Sequence, residues 1–201
     1  MTRLVIPAFM MPKTEIAVFK TDHHKDFRNY HATPMWKVAR ATSAAPTYLK
    51  GIEHEESGRI FIDGDVWANN PIMVALVDAV TAYDVGFDQV EIFSIGTGNA
   101  PFGLSKPDLF RGLIAWREAI KAAMFLTTDN ATAQAKLLLG PDRCLRIESA
   151  EADSAIEMDD YDEAFARLPD RAAEHFESRH AEISSLFGNK VLPRERHFSG
   201  T

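Results

Sequence analysis

Arg59-Ile60-Phe61-Ile62-Asp63-Gly64-Asp65-Val66-Trp67-Ala68-Asn69-Asn70-Pro71 is the stretch that decides the fold. The apolar run Ile60-Phe61-Ile62 predicts a buried strand, which ends on a carboxylate followed at once by glycine. Asn69, Asn70 and Pro71 then open a nearly all-apolar helix, with an Asn cap and proline in its first turn. A strand that delivers an aspartate into a glycine turn holds one carboxylate rigidly at a fixed place. Asp63 also fits a plainer role, since Asp-Gly caps turns in most proteins.

Upstream lies Ala41-Thr42-Ser43-Ala44-Ala45-Pro46-Thr47-Tyr48, and downstream Ser94-Ile95-Gly96-Thr97-Gly98 closes another predicted strand, Val90 to Ile95. These three segments, in this order, resemble the patatin-like phospholipases, whose "ATSAAPTYF", "DGG-ANNP" and "S-[LI]-G-T-G" segments they match. The resemblance covers roughly residues 3–148. It implies an α/β fold of three layers with a mainly parallel sheet, and a Ser-Asp dyad that hydrolyses lipid acyl esters without metal or cofactor. Asp63 falls on the dyad aspartate, the general base, within the motif Asp63-Gly64-Asp65. Asp65 stands where the family most often has Gly or Ala.

The family's nucleophile lies on G-x-S-x-G, after a glycine-rich loop that supplies the oxyanion hole. Neither pattern occurs in the 201 residues: none of Ser43, Ser57, Ser94, Ser105 and the serines from Ser149 onward has glycine at both required flanking positions. The chain thus reads as a single partial patatin-like domain over 1–201, with N-terminal strands missing and a C-terminal helical region over 159–187. It carries the acid half of the dyad and is expected to be inactive alone. A complementing N-terminal polypeptide or self-association would cover the edges left open. The alternative is a degenerate, non-catalytic binding or regulatory module.

Other chemistries fit less well. Ser43 has no glycine elbow to expose its hydroxyl and no evident oxyanion donors, so a helix-end packing role is expected. Asp65 with Asp63 and Asn69 fails the EF-hand spacing, because Trp67, Ala68 and Val74 fall where a ligand, Gly and Glu are needed. A hydrogen bond to the turn is the simpler role for Asp65. A nucleotide-binding module using Ser94 to Gly98 lacks the Walker lysine and the full G-x-G-x-x-G. The seven histidines show no H-E-x-x-H or other metal spacing.

Composition sets the outer bounds. Hydrophobic residues make up 46% and charged ones 25%, ordinary for a soluble globular protein. A net charge of −7 argues against nucleic acid as a partner. One cysteine, Cys144, rules out an internal disulfide and suits a reducing cytoplasm. Neither a signal peptide nor a transmembrane run is expected; the longest apolar candidate, Gly112 to Leu126, is broken by Arg117, Glu118 and Lys121.

Periodicity predicts strands at Leu4-Ile6 and Ile16-Phe19 joined around Pro12-Lys13, and a helix capped by Thr33-Pro34 with Met35, Trp36, Val38 and Ala39 buried. It further predicts a helix from Pro71 to Tyr83 buried on most sides, with Asp78 the polar exception. One or two helices over 108–139 with a break near Thr127-Thr128-Asp129, a strand at Cys144-Ile147, and a helix over 160–187 kinked at Pro169 complete the reading.

Overall fold

The computed structural model describes residues 3–26, 29–46, 48–55, 57–83, 85–98, 113–148, 156 and 159–187, without the side chains of 113–121. A link that the sequence predicts from Pro101, Gly103 and Pro107 lies outside them, as do some of the acidic residues between Glu151 and Glu163, a solvated loop by composition, and the polar tail from Gly188. The fold is α/β, and the chain divides into two compact units.

Among the described residues, the first unit holds those up to Val90 and the middle of a later helix, 123–135. Its strands are β1 (Val5–Met11), β2 (Glu15–Lys20), β3 (Ile52–His54) and β4 (Arg59–Asp63), arranged β2-β1-β4-β3. All three pairings are antiparallel, which corrects the expectation of a mainly parallel sheet among the described residues. The reason is connection length. Residues 12–14 join β1 to β2 and residues 55–58 join β3 to β4. Such links can only turn back, whereas a parallel partner needs a crossover of a dozen residues or more.

One face of this sheet carries Ala8, Met10, Ala17, Phe19 and Phe61, all buried, and helix α1 (Met35–Thr42) closes it with Val38 and Ala41. Of the apolar run in β4 only Phe61 is buried; Ile60 faces the other way and is 43% exposed. Strict alternation of a strand with one covered face requires this. The stripe expected on α1 is narrower too: Met35 and Trp36 are exposed and so is Ala39. An eight-residue helix lying on a sheet buries two positions one turn apart, not four. Thr33 makes no cap; Pro34 stands at the N-cap position without a side-chain hydrogen bond.

Short helix α2 (Asp65–Ala68) and α3 (Ile72–Ala82) follow β4. Only Ile72, Leu76, Asp78 and Ala82 of α3 are buried, and Val77 is half exposed, so this helix is covered on one side. Asp78, the expected polar exception, lies on the buried side. Its carboxylate takes Lys20 Nζ at 2.6 Å and His23 Nε2 at 2.7 Å.

The second unit comprises residues 91–122 and 136–193. Here β5 (Ile92–Ile95) and β6 (Cys144–Ile147) pair in parallel, as strands joined by a long helical crossover should. The connecting helix α4 (Leu113–Leu139) runs without the break expected near Thr127, and α5 (Tyr161–Phe187) continues through Pro169. No residue of α5 is buried: Phe165, Leu168 and Phe176 are exposed, although Phe187 meets Phe93 edge-to-face at 5.3 Å. Cys144 is buried, and burial raises its thiol pKa. No helix among the described residues is long and apolar enough to cross a membrane.

Candidate functional site

Asp63 is the last residue of β4 and is 7% exposed. Two contacts place it. Its backbone N–H donates to Ala44 O at 3.2 Å, and its Cα lies opposite Ala8 in the register of β1. The neighbouring Thr42 hydroxyl donates to Pro7 O at 2.8 Å, on that same strand. The Ala41 to Pro46 segment and the Asp63-Gly64 turn are therefore one local assembly: the end of α1 is stitched to the end of β4 and to β1. Ser43 stands at the C-cap of α1, exposed, as a helix-end residue.

Gly64 is fixed by space, not by backbone angle. A Cβ there would run into the backbone of Pro7, which cannot give way because it sits in the middle of β1 pairing. Any side chain at 64 pushes the turn off the strand and moves Asp63 with it. Trp67 of α2 adds a second tie to β1, its indole N–H donating to Ala8 O at 2.9 Å.

The carboxylate itself organises the turn. Asp63 Oδ1 accepts the Asp65 backbone N–H at 2.9 Å, an aspartate bonding two residues on. The turn bond expected of the Asp65 side chain is thus supplied by Asp63. Although Asp65 reaches solvent, its carboxyl is pushed up to about 6, foremost by partial desolvation and then by the adjacent Asp63 charge. A carboxyl raised in the folded state holds its proton more tightly there than in the unfolded chain, so stability falls as pH rises from about 3.8 through about 6. Asp65→Asn is accordingly expected to raise the melting temperature at pH 8 more than at pH 5. The gain is on the order of 1 kcal/mol once solvent screening is allowed for. Thermal melts of the two proteins at both pH values check it; an equal shift at the two would refute the assignment.

Asn69 and Asn70 face the middle of α4. Asn69 Nδ2 donates to Thr128 Oγ1 at 3.2 Å, and Asn70 Nδ2 to Thr128 O at 3.1 Å and Thr132 Oγ1 at 2.8 Å. Asn70 Oδ1 meanwhile accepts the Ile72 N–H at 3.3 Å, giving the start of α3 the oxygen expected of an Asn cap. Both asparagines thus use their amides to dock α4 beside the aspartate turn. Sequence reasoning missed the threonine partners, because nothing local points across the 58 and 62 positions that separate them from Asn70.

In the second unit the Ser94 to Gly98 segment is a strand-ending turn held by its own neighbours. Gly96 N–H donates to Ile147 O at 2.9 Å and Gly98 N–H to Glu148 Oε1 at 2.9 Å. Gly98 takes the left-handed conformation at φ 99°, and a Cβ on Gly96 would overlap the Glu148 carboxylate. Arg146 pairs with Glu148 and donates to Ser94 Oγ at 2.6 Å. A nucleotide phosphate needs those glycine amides, and a carboxylate already occupies one of them. The chemistry of this loop opposes phosphate.

Among the described residues no group of three His, Cys, Asp or Glu side chains gathers to hold a metal ion. The His23–Asp78–Lys20 cluster was also missed from the sequence. A lone charge within an apolar helix was its signal, since such a charge must find a partner.

No protein-family model matches the chain, and no solved structure does. Curated relatives do. A cGAMP-activated phospholipase of Escherichia coli (strain TW11681) is 35% identical over 107 residues, which is 51% of this chain and 30% of the relative. A cGAMP-activated phospholipase of Vibrio cholerae serotype O1 is 30% identical over 112 residues, 53% of this chain and 32% of the relative. Patatin-like phospholipase 1 of Plasmodium falciparum (isolate NF54) is 29% identical over 97 residues, 41% of this chain and 14% of the relative. The match spans about a third or less of the length of each. Over about half of its own length, then, the chain is a relative of the patatin-like phospholipases, consistent with part of a patatin-like domain.

Proposed function

We propose that this chain carries the general-base half of a cytoplasmic lipid acyl-ester hydrolase, with Asp63 as the base of a Ser-Asp dyad. The observation that carries the reading is the placement of Asp63: a carboxylate 7% exposed, at a strand end, clamped between the Ala44 carbonyl and a glycine that abuts Pro7. A carboxylate held this way keeps its direction, which a base needs if it is to take a serine proton without an intervening histidine. The substrate class follows the phospholipase names of the relatives.

The serine and the oxyanion donors come, on this reading, from a complementing polypeptide segment with G-x-S-x-G, which also completes a three-layer domain. Attack of its hydroxyl on the ester carbonyl passes the proton to Asp63, which gives it to the departing alkoxide as the acyl-enzyme forms and the alcohol leaves. Water then hydrolyses the acyl-enzyme, with Asp63 again taking the proton.

The purified chain is expected neither to hydrolyse a nitrophenyl ester nor to react with a fluorophosphonate probe. Co-expressed with a patatin segment bearing the glycine loop and G-x-S-x-G, it is expected to give both activities, the label falling on that segment's serine. Absence of labelling in a complex that does assemble would replace this reading with the alternative of a non-catalytic binding or regulatory module.

A further inference from the structure

The first unit contains a cavity of about 330 Å³ that touches none of the Asp63 turn. Its apolar wall is made by the rings of Phe19, Tyr30, His54 and Phe61. These meet edge-to-face, with Tyr30 and Phe61 centroids 5.4 Å apart at 90° and His54 and Phe61 5.7 Å apart at 88°. The volume lies at the lower end of those that hold small organic ligands.

Tyr30 is the unusual member. It has φ 67°, a left-handed backbone that costs a residue with a Cβ appreciable energy, and its hydroxyl donates to Met10 Sδ at 3.2 Å. A residue held in that region for the sake of its side-chain position is a marker of binding sites. Here the strained backbone sets an aromatic ring into the cavity wall.

Charge then selects the ligand. Of Lys37, Glu53 and Glu55, which line the cavity, Lys37 is the least exposed at 25%, while its partner Glu55, at 2.6 Å, is 82% exposed. Glu53 is exposed, and its pairing with Ile60 turns its side chain to the other face of the sheet from Phe61. Lys37 lines the cavity with its ammonium 5.6 Å from the Trp36 ring centroid, and its present counter-ion is a solvent-facing group whose grip is weak. A ligand anion seated against the rings can displace it.

We propose that this cavity binds a small amphiphilic anion, its apolar or aromatic body against Tyr30, His54 and Phe61 and its phosphate or carboxylate on Lys37 in place of Glu55. The site is separate from the Asp63 turn and does not depend on esterase activity.

Isothermal titration of the intact chain with phenyl phosphate and, separately, with decanoate tests it. Saturable binding of at least one probe is expected, and the tighter of the two tells a phosphate ester from a carboxylate amphiphile. Lys37→Met, which keeps the apolar stem, is expected to weaken binding about tenfold. Glu55→Gln removes the competing carboxylate at an exposed position, so it folds as the parent does and is expected to tighten binding about threefold. Absence of saturable binding of either probe overturns the proposal. So does unchanged affinity in Glu55→Gln, or in a Lys37→Met protein that melts as the parent does.

Discussion

Asp63→Asn is expected to lower ester hydrolysis by the complemented assembly by about three orders of magnitude while leaving its melting temperature nearly unchanged. The two halves of this expectation come from different atoms. The structural contacts of Asp63 are its backbone N–H to Ala44 O and its Oδ1 accepting the Asp65 N–H at 2.9 Å. Asparagine retains both, with its amide oxygen in the place of Oδ1. The proton acceptor is lost, because an amide is not a base at neutral pH. If Asp63 only capped the turn, Asn would serve as well and hydrolysis would survive. The readout is therefore kcat against a nitrophenyl ester together with fluorophosphonate labelling. Loss of both with an intact melt supports the base; retention of either above a tenth of the parent level rules it out. A second effect is expected in the same protein. With the Asp63 charge gone, Asp65 loses the lesser of the two causes that raise its pKa, and its titration moves down from about 6.

The aspartate turn was legible in the sequence because its determinants are local. A short apolar run, an Asp-Gly pair and an Asn-Asn-Pro start fix a strand, a turn and a helix within thirteen consecutive positions, and the structure has all three. The same holds for β6 and for the strand-end turn at Gly96 to Gly98. What the sequence did not disclose is directional or distant. Alternation shows which residues share a face of β4 but not which way its neighbour runs, so the sheet was read as mainly parallel when β1, β2, β3 and β4 are antiparallel. The exposure of Trp36 at 63% escaped for a related reason: a helical stripe shows that one side is apolar, and only the partner's width decides how much of it is covered. The threonines that receive Asn69 and Asn70 belong to a helix whose sequence says nothing about them.

Asp78→Ala is expected to cost about 3–5 kcal/mol, the largest loss of stability from any single change considered. Asp78 is 4% exposed and holds two partners, Lys20 through Oδ1 at 2.6 Å and His23 through Oδ2 at 2.7 Å. His23 is itself fully buried, with its ring stacked on Tyr83 and its Nδ1 3.0 Å from the Thr21 hydroxyl. With the Nε2 proton given to Asp78, Nδ1 accepts from Thr21, so the imidazole is satisfied at both ends. Removing the carboxylate leaves an ammonium at 15% exposure and a buried ring N–H facing a methyl group. The buried ring cannot reach water without opening the packing around His23, which is fully buried. That penalty is a large fraction of the roughly 5–15 kcal/mol that a domain has in hand. Asp78→Asn keeps the shape and an acceptor for His23 but not the charge for Lys20, so its loss should be about half as large. Replacing Lys20 by Met alongside Asp78→Asn is expected to recover part of it, because the ammonium that lost its carboxylate is then gone. Urea unfolding midpoints of the three proteins give the comparison. A loss under about 1 kcal/mol in Asp78→Ala would mean that the cluster is open to solvent and that α3 is held by Ile72, Leu76 and Ala82 alone.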